Sequence, residues 1–261
     1  MKQNIVNINK RRTDVFHEYI NKLFQKNSDE VNFSYEKDIE SFFNKNHNKA
    51  VKSNLSISNY FVVKNNTLLV QNINFNSSES ILICQKLLDN RCGLFEEIGF
   101  KNCIFNCDIE RIISKLEISV FFYDCTFRQK IQILCDASNK HLCFIKCDFF
   151  GLSEFGSNMH KNMPYVLDIS DCHFRSGSIT KIANIAEKGD IAENIINIRD
   201  TIINGNLIFS NISKESETIL YLKNVAFLKS IIIYKSSFHK ISKFQNISLP
   251  QNSDMSLILE K

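Results

Sequence analysis

Apolar and polar positions along this chain follow one line that is written many times. "LDISDCHF", residues 167–174, places apolar residues five and three before a Cys, Asp one before it and Phe two after it. "IGFKNCIF" repeats it with Ile98, Phe100, Asn102, Cys103 and Phe105, and "VFFYDCTF" with Val120, Phe122, Asp124, Cys125 and Phe127. "LCFIKCDF" repeats it with Leu142, Phe144, Cys147 and Phe149, but with Lys146 in place of Asn or Asp. Looser copies centre on Ile73 (with Asn72 and Phe75), Thr201 (with Asp200) and Val225 (with Asn224 and Phe227). An extra copy around Ser236 follows at half the usual distance. Positions 73, 103, 125, 147, 172, 201 and 225 lie 22 to 30 residues apart, the period of a solenoid.

Residues two apart in a strand share a face, so Leu167 and Ile169 point one way, as do Cys172 and Phe174. The odd step between Ile169 and Cys172 breaks the alternation at Asp171. Asn and Asp tolerate left-handed backbone angles there. Each repeat therefore predicts a strand, a corner and a second short strand, both facing one core. After Phe127 come Ile131 and Ile133, after Ile203 come Leu207 and Phe209, and after Phe227 come Ile231 and Ile233. These alternate like strands, so the return path is expected to be strand as well.

The pattern predicts a mainly β protein, a right-handed parallel β-helix over residues 54–245. Cys103, Cys125, Cys147 and Cys172 would form one ladder, and Phe75, Phe105, Phe127, Phe149, Phe174 and Phe227 another. Asn72, Asn102, Asp124, Asp171, Asp200 and Asn224 would line the corner. "LSISNYFV" (55–62) reads as a rudimentary first strand–corner–strand. Residues 1–53 read as a helical N-terminal segment that caps the coil or binds a partner. In it, Val15, Phe16, Tyr19, Ile20, Leu23 and Phe24 recur at helical spacing, and a weaker helix runs through "YEKDIESFFNK". Residues 246–261 read as a C-terminal cap or tail. The departures from tight spacing at 151–165 and 181–194 are expected to be outer loops, or, for the second, a short helix.

The runs "NCIFNCDI", "DCTF", "KCDFFG" and "DCHFRSG" resemble degenerate pentapeptide repeats, which place a small residue two before a central Phe or Leu. The likeness covers most of residues 68–240 and implies a β-solenoid. The same line is more weakly similar to the leucine-rich repeat core. That family normally has a further Leu three before the first apolar position, where this chain carries Glu117, Asn139, Pro164, Glu193 and Glu217, with only Phe95 fitting.

Composition bears mainly on partners. A net charge of +4, scattered over the chain, forms no basic stripe for nucleic acid and no acidic surface that mimics it. Several of the nine Cys sit at regular inward positions, where a free thiol behaves as a small hydrophobe, and a reducing cytoplasm is the expected compartment. "MKQNIVNINKRR" lacks the apolar run of a secretory signal, and no segment has the length of a membrane span.

Candidate chemistry is sparse. The CxxxC pairs Cys103/Cys107 and Cys143/Cys147 have equal strand parity, which reads as two inward positions each rather than a zinc site. Asp171 and Asp200 share a corner near Asp168 and Arg199, as in carbohydrate-active β-helices. Yet the same corner accepts Asn and Lys elsewhere, which marks it as structural. No catalytic residue, metal site or cofactor is expected. The reading is a non-enzymatic scaffold of bacterial type whose flat face and N-terminal helices bind another macromolecule, a protein, with self-association as a further option. A carbohydrate-active enzyme or glycan binder using Asp168, Asp171, Arg199 and Asp200 is the alternative, and a leucine-rich-repeat-like recognition or effector protein the third.

Overall fold

The computed structural model describes residues 31–32, 56–58, 61–64, 67–75, 97–110, 119–135, 141–157, 166–183, 185, 194–214, 218–239, 241–249 and 258–260. All belong to one compact unit, Val31–Lys261. The helices expected over 11–26 and 35–45 lie outside the described residues, and among the described residues there is no α-helix.

Three short strands come first: β1 (Val31–Asn32), β2 (Ser56–Ser58) and β3 (Phe61–Lys64). Turn one follows with β4 (Thr67–Gln71) and β5 (Ile73–Phe75). Five complete three-strand turns come next. They are β6 (Glu97–Lys101), β7 (Ile104–Phe105) and β8 (Ile109–Glu110); β9 (Ser119–Tyr123), β10 (Thr126–Phe127) and β11 (Ile131–Cys135); and β12 (His141–Ile145), β13 (Asp148–Phe149) and β14 (Leu152–Ser157). Then come β15 (Val166–Ser170), β16 (His173–Phe174) and β17 (Ile179–Ala183), followed by β18 (Ile195–Arg199), β19 (Ile202–Ile203) and β20 (Asn206–Ser210). In the next turn the first two strands fuse as β21 (Ile219–Phe227), followed by β22 (Ile231–Tyr234). β23 (Lys243–Ser248) and β24 (Ile258–Glu260) extend the stack.

From β4 onward every pairing between turns is parallel and in register, so the chain is a parallel β-solenoid. The return path is strand: third strands from β8 to β24 form their own seven-stranded sheet. The residues at 56–64 differ from the strand–corner–strand reading. β2 and β3 pair antiparallel, as do β3 and β4, because connections this short form hairpins and cannot make a parallel crossover. The expected loops at 151–165 and 181–194 are also smaller, since β14 and β17 occupy 152–157 and 179–183. Residues 158–165, 184 and 186–193 lie outside the described residues. The copy around Ser236 is no new turn. It follows β22, where Lys235 stands at φ 43°, as Asn211 does at φ 54° after β20: the third strand has a corner of its own.

The first corner takes its shape from backbone preference. Asn72, Asn102, Asp124, Lys146, Asp171, Asp200 and Asn224 all have φ between 49° and 56°. Side chains bond along this ladder: Asn102 Nδ2 donates to Asn72 Oδ1 (3.0 Å), Asn224 to Asp200 (2.6 Å) and Asn246 to Asn224 (2.8 Å). Lys146 is the misfit, because a left-handed angle costs a non-glycine residue about 1–2 kcal/mol and only Asn and Asp recover part of it locally. Lys146→Asn is therefore expected to raise stability by about 0.5–1 kcal/mol, read as a higher denaturant midpoint.

The residue after the corner is small and buried for a reason of its own. Each ladder thiol donates to the carbonyl two residues back: Cys103 to Lys101, Cys125 to Tyr123, Cys147 to Ile145 and Cys172 to Ser170, at 3.2–3.4 Å. The Thr201 hydroxyl does the same for Arg199 O at 2.7 Å, and Ser236 for Tyr234 O at 2.8 Å. A small donor is what the position requires; Cys also tolerates full burial.

Two Phe columns fill the middle of the core. Phe75, Phe105, Phe127, Phe149 and Phe174 stack nearly parallel at 4.4–4.9 Å between ring centres. Phe100, Phe122 and Phe144 form the second stack at 4.9–5.1 Å. The columns meet edge to face, as Phe105 and Phe122 do at 5.9 Å, the arrangement the ring quadrupole favours. Ile203 and Phe227 continue the first column. Cover thins at β23, where Phe244 holds the register of core Leu222 but is 61% exposed.

Candidate functional site

Two outer faces of the coil differ sharply. On the second-strand face, Thr126, Asp148, His173, Ile202 and Ala226 lie in register and point away from the core. Beside them stand Arg128, Phe150, Arg175, Asn204 and Leu228, each of whose amides bonds to the carbonyl of the core residue one position earlier and one turn back. Phe150 (46%), Ile202 (44%) and Leu228 (48%) are exposed apolar side chains on this face. Arg175 Nη2 reaches Asp148 Oδ1 at 2.7 Å, and its guanidinium lies 5.6 Å from the Phe150 ring centre. His173 Nδ1 is 4.0 Å from the same carboxylate. The face thus alternates apolar side chains with a held charge.

The first-strand outer face is buried along the first part of its middle column, from Leu69 to Asp168, and half-buried beyond it at Asn197 and Tyr221. Its middle column runs Leu69, Gly99, Phe121, Cys143, Asp168, Asn197 and Tyr221. Phe121, Cys143 and Asp168 are 0% exposed although they alternate with the core positions and point away from the core. A Cβ on Gly99 would lie 2.1 Å from Phe121 Cε2, so the glycine makes room for that ring.

This column corrects the expectation for one CxxxC pair. Cys147 belongs to the core ladder, whereas Cys143 lies on the outer face beside Asp168. The left-handed corner at Lys146 falls between them and reverses the parity of the strand. Cys107, by contrast, packs partly buried against the core, as Cys103 does fully.

The residues singled out from sequence divide into two places. Asp171 and Asp200 stand exposed at consecutive corners, and Asp200 accepts the amide of Asn224. Asp168 stands apart from them on the outer face, with Asn197 Nδ2 at 3.4 Å from its Oδ1. Arg199 is half-buried two positions along the strand from Asn197, hence on the same face, and its charge favours ionisation of Cys143. Burial outweighs it and, helped by the negative charge of Asp168, pushes the Cys143 thiol well above the usual range. Burial also raises Cys147 in the core ladder, with Cys125 and Cys172 adding to it.

Sequence reading missed His141. It lies two residues before Cys143 on β12, on the same side of the strand, and its ring nitrogen, Cys143 Sγ and an Asp168 carboxylate oxygen all fall within 4.8 Å of one another. The signal was His-x-Cys followed one period later by Asp, which becomes a cluster only once the register is known. No helix among the described residues is long and apolar enough to cross a membrane. Comparisons with protein-family models, curated proteins and solved structures returned no match.

Proposed function

We propose that the protein is a non-enzymatic solenoid scaffold that binds another protein through its second-strand face. The observation that carries this reading is the row of Phe150, Arg175, Ile202 and Leu228 on four consecutive turns of a rigid ladder, its three apolar members exposed and Arg175 partly so. Aromatic residues and Arg dominate the energetics of protein interfaces, and apolar neighbours exclude water around them. Stacked turns hold the row at about 4.8 Å per step, so little ordering entropy is lost on docking. The pentapeptide-repeat resemblance and a right-handed coil belong to the same reading, since the Cys-x-Phe step recurs in four consecutive turns. Free buried thiols suit a reducing compartment.

The test uses the full chain, immobilised, beside a Phe150→Asp/Leu228→Asp variant whose β-sheet circular dichroism is unchanged. Stoichiometric retention of one protein by the wild type, lost in the variant, is the expected result. Retention indifferent to both substitutions would remove the face from the account. Glycan binding that is lost in Asp171→Asn/Asp200→Asn would replace the scaffold by the carbohydrate reading.

A further inference from the structure

We propose that His141, Cys143 and Asp168 form a binding site for a divalent transition-metal ion, zinc by the chemistry of the donors. The three come together through strand geometry alone. His141 and Cys143 are two apart on β12 and share its outer face; Asp168 is the in-register neighbour of Cys143 on β15. Their donor atoms lie within 4.8 Å of one another. Zinc holds thiolate, imidazole and carboxylate at about 2.0–2.3 Å, so its ligands stand roughly 3–4 Å apart, and small side-chain rotations close the difference.

Burial and charge point the same way. Cys143 and Asp168 are both 0% exposed on a face that would otherwise meet solvent. A thiol and a carboxylate buried side by side repel when both ionise, and a divalent cation reverses that relation. Binding would release the Cys143 proton to solvent and leave a thiolate, a carboxylate and a neutral imidazole around the ion. The two negative charges then match the charge of the metal. Cys and His select zinc and its neighbours over calcium and magnesium, which prefer all-oxygen sites. Asn197 stands where an outer-shell partner belongs, with its amide directed at the Asp168 carboxylate.

The same residue types also serve thiol catalysis. An attacking thiolate requires access to its substrate, and Cys143 is fully buried.

The test titrates the purified, chelator-treated full chain with Co²⁺ under a non-thiol reductant. One equivalent should bind with a thiolate-to-cobalt charge-transfer absorption, and added Zn²⁺ should abolish it. Cys143→Ser should lose the band, whereas Cys107→Ser should keep it. His141→Gln should weaken binding at least about tenfold and Asn197→Ala by about tenfold or more. Absence of saturable cobalt binding, or a band that survives Cys143→Ser, would overturn the proposal. Should Cys143→Ser fail to fold, His141→Gln decides: unchanged affinity there removes the site.

Discussion

Phe149→Ala is expected to cost about 3–5 kcal/mol, which would show as a large drop in the denaturant midpoint. Phe149 is fully buried and lies between the parallel rings of Phe127 at 4.9 Å and Phe174 at 4.4 Å. Its edges meet Phe144 and Phe155, so four rings from three turns lose a partner at once. Collapse around the void is hindered because each neighbour is fixed by its own stack and its backbone by inter-turn hydrogen bonds. A solenoid is stabilised by nearest-neighbour interfaces, and a weakened middle turn uncouples the two halves. A shallower unfolding transition should therefore accompany the lower midpoint. A variant as stable as the wild type would contradict the stacked core.

Gly156→Ala is the second large effect and works by the opposite mechanism. A Cβ at Gly156 would lie 2.0 Å from the carbonyl oxygen of Ala183, its in-register neighbour on the next turn. The obstacle is backbone within a continuous parallel sheet, so relief requires β14 and β17 to part. Overpacking of this kind typically costs about 1–3 kcal/mol. Thermal unfolding would register it as a lower Tm; a Tm equal to the wild type would mean that the turns are more loosely apposed here.

The repeat was legible because its signals are local. The Ile169-to-Cys172 step breaks parity within four residues, and the same break recurs at each Asn or Asp that the structure holds near φ 50°. The alternation of Ile131 and Ile133 likewise gave the return strand. What depended on pairing was harder to read. Nothing within "LSISNYFV" distinguishes a hairpin from a parallel turn, since both are alternating strands. The His141–Cys143–Asp168 cluster needs the alignment of β12 with β15, whose starts are separated by 25 residues. Counting parity from Cys147 across Lys146 puts Cys143 inward, whereas counting from its strand neighbours Leu142 and Phe144 puts it outward, where it lies.

The central claim is that successive turns are hydrogen-bonded in one register, and amide hydrogen exchange measured residue by residue tests it most directly. The amides of Thr126, Asp148, His173, Ile202 and Ala226 bond to Cys103, Cys125, Cys147, Cys172 and Thr201 carbonyls one turn back, at 2.9–3.0 Å. Their side chains are not buried, so without the stack these amides would exchange quickly. The account predicts protection approaching that of global unfolding at all five. Rapid exchange at these positions, with protection confined to the longer first and third strands, would contradict it.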